Sequence, residues 1–302
     1  MKILVVGSQG FVGKHIVNFF TSNNHQVVGI DSIVSSEYVV NYKYIRVLSL
    51  NYNIEDLIGS FIPDVLIFAG GSANVQLSVA QPNLDFEANV TSVSKLLESV
   101  KKINTTCKFI HFSSAAVYGN PQKFPIHEDD TINPVSPYGW HKYQAELLCK
   151  EYYRCYQLPT CSLRPFSVYG PGQNKLLFWD LFKKMTSKDA VIELFGTGNE
   201  TRDFIFISEL LNALDLIIKK GEFKGTIYNI ASGNETSILQ AAHILKKTLG
   251  IDKEIKFIGT ERIGDPLNWK ANITKISELG FSSDIDLEIG LKAYVQWLKD
   301  KK

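Results

Sequence analysis

A tyrosine and a lysine four residues apart are the side chains in this sequence best suited to acid–base chemistry. Tyr138 and Lys142 follow Ser136, a favourable helix N-cap, and Pro137, which suits the first helical position, so they are predicted to share one face of a helix. A free phenol titrates near ~10, and a nearby positive charge lowers that value. The phenol of Tyr138 could then exchange a proton with a hydroxyl group near neutral pH.

A serine at the end of a predicted strand strengthens this interpretation, because a Tyr-x-x-x-Lys spacing alone is common on exposed amphipathic helices. The strand 109–113 runs directly into Ser114, Ala115 and Ala116. In a parallel sheet, the carboxyl ends of the strands face the crevice where ligands bind. The Ser114 hydroxyl could therefore hold a reacting oxygen beside the phenol.

A glycine-rich turn near the start of the chain predicts a dinucleotide site. Gly7, Gly10 and Gly13 are spaced G-x-x-G-x-x-G between a strand and a helix, where glycines permit close backbone approach and helix N–H groups attract a pyrophosphate. Asp31 ends the second strand, where an acid can bind a ribose 2′-hydroxyl and repels a 2′-phosphate. No Arg or Lys occurs in residues 32–34. The sequence thus favours NAD over NADP, although an acid there could also be a solvated strand end.

The elements that must position these residues alternate between strands and helices. Apolar runs predict strands at 3–6, 26–31, 44–48, 64–68, 109–113 and 160–164, and helices are predicted at 13–22, 83–102 and 138–156. This pattern predicts an α/β fold with a doubly wound parallel (Rossmann) sheet and a smaller, discontinuous C-terminal substrate-binding lobe. The predicted NAD-binding domain covers 1–170, with 203–232 returning to it, and the lobe covers 171–202 and 233–302.

Composition restricts the class of protein. The formal charge is 32 − 31 = +1, which provides no global field for nucleic acid or an anionic membrane. No stretch of about 18 apolar residues predicts a membrane helix. The four cysteines form no C-x-x-C, and the six histidines lack ligand spacing. We therefore expect a cytoplasmic protein with no metal site.

The ordered set of motifs resembles a known family, the extended short-chain dehydrogenase/reductases that act on nucleotide sugars, typified by UDP-glucose 4-epimerase. The resemblance spans nearly the whole chain. It rests on the glycine turn with Asp31 and on a series of later motifs, which are V75-x-x-S78-V79-x-x-P82, N89-V90, S113-S-A-A-V-Y-G119, Y138-x-x-x-K142, R164-P-x-x-V-Y-G-P-G172, G196-T-G198 with R202-D-F204, and R262-x-G-D265.

The resemblance implies a role for each matched residue. Tyr138 is implied as the acid/base, Lys142 as the residue that holds the nicotinamide ribose and tunes Tyr138, and Ser114 as the residue that orients the substrate hydroxyl. The implied cofactor-binding residues are Gly7, Gly10, Phe11, Val12, Gly13, Asp31, Ser32, Ala69, Gly70, Asn89, Tyr138, Lys142 and Pro165. The implied substrate-binding residues are Ser114, Ser167, Gly196, Arg202, Arg262 and Asp265. Two guanidinium groups suit a nucleotide diphosphate because they stay charged and bind phosphate bidentately. The resemblance also implies a homodimer through the helices at 83–102 and 138–156.

Three positions depart from the family pattern. Ser167 stands where the family usually has Asn, and Ser49 stands where an Asp commonly contacts adenine. The run Ala69-Gly70-Gly71 replaces a less flexible turn. We expect these departures to affect the pose of the substrate or the cofactor.

The reaction is predicted from the two residues after Ser114. Relatives that dehydrate at C4–C6 carry an Asp-Glu pair there, but Ala115 and Ala116 can supply neither an acid nor a base. A 4-epimerase that oxidises C4 reversibly through a 4-keto intermediate is favoured. A nucleotide-4-keto-6-deoxysugar reductase using NAD(P)H remains the alternative, and a catalytically silent NAD-binding sensor or scaffold is a further one.

Overall fold

The first part of the chain folds into alternating strands and helices in the computed structural model, which describes residues 1–33, 41–47, 54–260 and 267–300. The strands are β1 (Lys2–Val6), β2 (Gln26–Asp31), β3 (Tyr42–Arg46), β4 (Val65–Phe68), β5 (Lys108–Phe112) and β6 (Thr160–Pro165). The helices are α1 (Phe11–Ser22), α2 (Ile54–Phe61), α3 (Val75–Ala80), α4 (Pro82–Phe86), α5 (Ser92–Ile103) and α6 (Pro137–Tyr156). A π-helical turn (Glu87–Thr91) joins α4 to α5, and a 3₁₀ turn (Ala115–Tyr118) comes after β5.

The later elements alternate less regularly. They comprise β7 (Ser167–Tyr169), α7 (Leu176–Thr186), β8 (Val191–Leu194), β9 (Thr201–Phe206), α8 (Ile207–Lys220), β10 (Lys224–Ile230), β11 (Glu235–Ser237), α9 (Ile238–Leu249), β12 (Glu254–Phe257), α10 (Thr274–Ser277) and α11 (Leu287–Asp300). The helix predicted at 83–102 is divided among α4, the π-helical turn and α5. The sequence pattern missed α2 and α3, which are only 8 and 6 residues long.

The main sheet has the predicted doubly wound topology. Within the described residues its seven strands are ordered β10-β6-β5-β4-β1-β2-β3. The strand order reverses between β1 and β4, which are paired in parallel with Val6 beside Phe68. Ligands bind at such a switch point, outside the carboxyl ends of the strands. The turns after β1 and β4 therefore meet where a dinucleotide is expected.

Two compact units make up the chain. Unit 1 contains residues 1–119, 132–164 and 214–228, and unit 2 contains 120–131, 165–213 and 229–302. The predicted division had placed 120–131, 165–170, 203–213 and 229–232 with the first domain. As functional domains, 1–170 with 203–232 and 171–202 with 233–302 stay a prediction.

Each unit has its own apolar core. The core of unit 1 includes Leu4, Phe68 and Phe109 on the sheet and Leu97 and Cys149 on the helices that cover one face. The core of unit 2 packs α7, α9 and α11 against β8 and β9, around side chains that include Tyr169, Phe178, Leu245 and Tyr294. Among the described residues, every helix is too short or too polar to cross a membrane.

Candidate active site

The glycine turn after β1 has the shape of a pyrophosphate cradle. Gly7 has a φ of +85°, and a Cβ there would lie 2.5 Å from the Cα of Gly70. A Cβ on Gly13 would lie 2.0 Å from the Gly7 carbonyl oxygen. Both glycines are therefore required by close backbone approach. No side chain caps α1 at Gly10, so its first N–H groups, at Phe11, Val12 and Gly13, remain available to a ligand.

The turn after β4 completes this cradle. The Ala69 N–H donates to the Val6 carbonyl at 2.9 Å, which ties the two turns together. Gly71 has a φ of +91°, and a Cβ there would lie 2.4 Å from Oδ1 of Asn89. Nδ2 of Asn89 donates to the Ser72 carbonyl at 3.2 Å, while Oδ1 is buried without a partner. The glycines at positions 70 and 71, which depart from the family pattern, thus let the Asn89 side chain approach the turn. The unpaired Oδ1 of Asn89 and the glycine cradle fit a polar ligand such as NAD.

Asp31 ends β2 as predicted and supports the glycine turn directly. Its carboxylate accepts from the Gln9 N–H at 2.9 Å and from the Ile33 N–H at 3.1 Å. Arg46, the register partner of Asp31 on β3, donates from Nε to the Ser32 carbonyl at 3.3 Å. The sequence pattern had found no cation near this acid, because Arg46 is distant in sequence and is brought there only by strand pairing.

The three predicted catalytic residues come together in unit 1. Ser136 caps α6 by accepting from the Gly139 N–H at 3.2 Å, which confirms the predicted helix start. The Ser114 hydroxyl lies near the Tyr138 phenol and acts to lower its pKa, and it accepts from the Ala116 N–H at 3.1 Å. Nζ of Lys142 lies 5.8 Å from the centre of the Tyr138 ring and donates to the Phe112 carbonyl at 2.8 Å. β5 and α6 therefore hold a hydroxyl, a phenol and an ammonium in one place.

Burial controls the ionisation of these groups. Burial raises the pKa of Tyr138 to about 12, the nearby Ser114 hydroxyl opposes that change, and the charge of Asp85 adds to it. Burial lowers the pKa of Lys142 to about 8, against the opposing charges of Asp85 and Glu146. The residues around Tyr138 thus favour the neutral phenol, so the predicted lowering of its pKa requires additional positive charge, such as an oxidised nicotinamide ring.

A buried charge cluster lies beneath these residues, and the sequence analysis missed it. Glu146 accepts from Nε and Nη2 of Arg164 at 2.9 and 2.7 Å, and it also accepts from the Ser113 hydroxyl. Nη1 of Arg164 donates to the Tyr118 hydroxyl at 2.7 Å. The cluster joins α6 and β6 to Ser113 and Tyr118, which lie on either side of Ser114 in the segment after β5. Its sequence signal was a glutamate four residues after Lys142, on the buried face of the same helix.

Unit 2 holds the remaining predicted residues that the structure describes. The Arg202 guanidinium donates to the Thr201 and Leu267 carbonyls at 2.8 and 3.1 Å and lies 5.5 Å from the centre of the Trp269 ring. Gly196 has a φ of +80°, in a turn where the N–H groups of residues 197 and 198 donate to Glu200.

The other predicted residues of the second half include two at strand positions. Pro165 ends β6, and Ser167 on β7 pairs with Phe204 on β9. Arg262 and Asp265 lie outside the described residues, as does Ser49 in the first half.

Comparisons with known proteins identify the family of this chain. The sequence matches the model of the NAD dependent epimerase/dehydratase family over residues 3–231. A putative UDP-glucose 4-epimerase of Methanocaldococcus jannaschii is 31% identical over 306 residues, covering 99% of this chain and 98% of that protein. A structure of UDP-glucuronic acid 4-epimerase from Bacillus cereus, with UDP-glucuronic acid and NAD, has a TM-score of 0.92 at 30% identity and covers 100% of both chains. A structure of UDP-glucose 4-epimerase from Thermotoga maritima, with UDP-glucose, has a TM-score of 0.90 at 28% identity and covers 100% of this chain and 99% of that one. The chain belongs to the NAD-dependent epimerase/dehydratase family.

Proposed function

We propose that this family member is an NAD-dependent epimerase that inverts C4 of the sugar in a UDP-linked hexose. The observation that carries the proposal is the grouping of Ser114, Tyr138 and Lys142 at the carboxyl end of β5 and the start of α6. The glycine cradle of the same unit supports a bound dinucleotide. The names of the relatives support uridine diphosphate as the carrier and C4 as the reacting carbon.

The protein residues have separate tasks in this reaction. NAD would be held by the glycine cradle of residues 7–13 and would supply an acceptor for the C4 hydride, which would return to the opposite face of C4. Tyr138 takes the C4 hydroxyl proton as the ketone forms and gives it back as the new alcohol forms. Ser114, near Tyr138, orients the C4 oxygen. Lys142, whose Nζ lies 5.8 Å from the centre of the Tyr138 ring, favours the phenolate through its charge. The proton and the hydride are both returned, so the sugar changes only its configuration.

The residues after Ser114 favour this reaction over dehydration. Ala115 is fully buried and Ala116 is partly buried, in the 3₁₀ turn after β5. Elimination of water requires an acid and a base near the sugar, and two methyl groups supply neither.

Arg202 has the surroundings of a side chain prepared to bind an anion. Arg202 is held by two carbonyl groups and by the face of Trp269, so its guanidinium is fixed before a ligand arrives. We assign it to the diphosphate, since a planar guanidinium binds phosphate oxygens bidentately. Arg262 and Asp265 are proposed for the same ligand from their motif alone.

A homodimer is proposed from the outer surface of unit 1. Large apolar side chains are exposed on α3, α4 and α6, at Leu77, Val79, Leu84, Phe86, Trp140 and Leu147. Such a cluster of exposed apolar groups is typical of a protein interface. Light scattering of the purified protein tests this, and a monomeric mass would remove the proposal. The cytoplasmic location stays a prediction.

The function is tested by asking what the protein retains and what it converts. The protein is purified and denatured, and the released nucleotide is identified by mass spectrometry; NAD in near-equimolar amount is expected. UDP-glucose and UDP-glucuronic acid are then incubated with the enzyme, and the C4 epimers are separated by chromatography. Tyr138→Phe is the matched control and should retain NAD without turnover.

Two results would count against the epimerase. Conversion by Tyr138→Phe near the wild-type rate would contradict the assigned role of the phenol. An empty site, or NADP, together with consumption of reduced cofactor, would favour the 4-ketosugar reductase.

A further inference from the structure

Asp85 and His141 form a buried acid–base pair beside the catalytic residues. Nδ1 of His141 lies 2.6 Å from Oδ2 of Asp85, so the ring N–H donates to the carboxylate. The Asp85 side chain is only 1% exposed, and its Oδ1 is buried without a hydrogen-bond partner. One hydrogen bond leaves much of the field of a buried carboxylate uncompensated, because little water is present to screen it.

The pair is built into the start of α6, the helix that carries the catalytic side chains. His141 lies on α6 directly before Lys142, and Asp85 lies on α4. Phe86 packs edge-on against the His141 ring at 5.4 Å. The Ser78 hydroxyl on α3 accepts from the Tyr138 N–H at 3.1 Å. The contacts from α3 and α4 thus hold the carboxylate at a fixed place relative to Tyr138 and Lys142.

We propose that the carboxylate of Asp85, oriented by His141, strengthens proton binding at both Tyr138 and Lys142. Asp85 is a positioning residue, because it acts through the catalytic groups rather than on the substrate. A negative charge at this place disfavours the phenolate and favours the ammonium. Burial is the largest cause of the pKa change at both groups, adding to the effect of Asp85 at Tyr138 and opposing it at Lys142, and the charge of Asp85 acts toward a higher pKa at each. On the proposed function, this makes Tyr138 a stronger base that keeps the sugar proton while the ketone exists.

The other charged or titratable groups on the described elements around Tyr138 and Lys142 are paired, neutral or exposed. Glu146 on α6 is bound to Arg164. His111 on β5 is fully buried, and burial followed by the charge of Lys142 lowers its pKa well below the usual value, so it is neutral. The remaining charged side chains of the π-helical turn and α5 are exposed or partly exposed, at Glu87, Lys95, Glu98, Lys101 and Lys102. On α3 and α4, Asp85 is the single charged residue.

The experiment titrates Tyr138 directly in the NAD-loaded full-length protein. Tyrosine labelled with ¹³C at Cζ is incorporated, and Tyr138→Phe identifies the Tyr138 resonance. Asp85→Asn retains an acceptor for His141 and removes the charge, so the Tyr138 midpoint should fall by roughly 0.5 to 1 pH unit. The double variant Asp85→Leu with His141→Leu should also lower it, and it keeps the test available if Asp85→Asn fails to fold. Glu151→Gln removes an exposed charge from the same helix as a matched control and should leave the midpoint unchanged.

A further variant separates charge from packing. His141→Gln retains an N–H donor to Asp85 and retains the carboxylate, so the Tyr138 midpoint should be equal to or higher than in the wild type. In the pH profile of kcat, Asp85→Asn should displace both limbs to lower pH, whereas a packing defect would reduce the plateau alone. An unchanged or raised midpoint in the variants without Asp85, or a lowered midpoint in His141→Gln, overturns the proposal. The titration requires no substrate, so failure of the proposed reaction would be seen separately.

Discussion

Neutralising Glu146 should be among the most damaging single changes to unit 1. Glu146 and Arg164 are each 3% exposed, and two hydrogen bonds of 2.7 and 2.9 Å join them. Burial alone lowers the pKa of Arg164, but the hydrogen bonds and charge of Glu146 reverse this and hold it above the usual value. In Glu146→Gln the guanidinium remains buried without its counter-charge. Breaking a buried pair in this way costs about 3–5 kcal/mol, which for a chain of 302 residues corresponds to a fall in Tm of roughly 5–8 °C.

The assay is thermal unfolding followed by circular dichroism, with two comparison variants. Glu151→Gln changes an exposed glutamate of the same helix and should alter stability by no more than about 0.5 kcal/mol. Glu146→Leu combined with Arg164→Leu removes both charges and should recover most of the loss. The reasoning is refuted if Glu146→Gln is as stable as Glu151→Gln, or if the double variant is less stable than Glu146→Gln.

Three further outcomes are expected. Lys142 has a pKa of about 8 in the folded protein against 10.5 for the free side chain, so the unfolded state binds more protons between these two pH values. In urea unfolding, the free energy of unfolding of the wild type should therefore rise across that pH range by up to about 3 kcal/mol relative to a Lys142→Met variant. A difference that does not change with pH would contradict the lowered pKa. Gly7→Ala should destabilise the fold by roughly 1–3 kcal/mol, because Gly7 has a positive φ and a Cβ there would collide with Gly70. Gly10→Ala is the control and should fold normally, since its Cβ would lie 3.4 Å from the nearest atom. Equal Tm values for the two variants would count against the cradle. Trp269→Leu should raise KM for the nucleotide sugar several-fold at unchanged kcat, since it removes the aromatic ring that supports the Arg202 guanidinium. Trp269→Phe keeps an aromatic ring and should retain most of the affinity. A raised KM in both variants, or in neither, would argue against a role for the Arg202–Trp269 contact.

Local chemistry explains which features could be predicted from the sequence. Ser136 and Pro137 define the start of α6 by capping, so the shared face of Tyr138 and Lys142 is a consequence of helix geometry. The glycine turn could be identified for a similar reason, since its spacing and its position between β1 and α1 are visible along the chain. Alternation of apolar runs with helical segments was sufficient to predict the doubly wound sheet.

The environment of the site could not be predicted in this way, because it depends on contacts between residues distant in sequence. Asp85 meets His141 across 56 positions, and Arg46 reaches Ser32 only through the pairing of β2 with β3. Burial then decides the direction of the pKa changes at Tyr138 and Lys142. The types of the reacting groups and their place on strand ends and a helix face were therefore determined by the sequence alone. Their ionisation and the partners that hold them were decided by tertiary structure, because desolvation and long-range contacts exist only once the chain has folded.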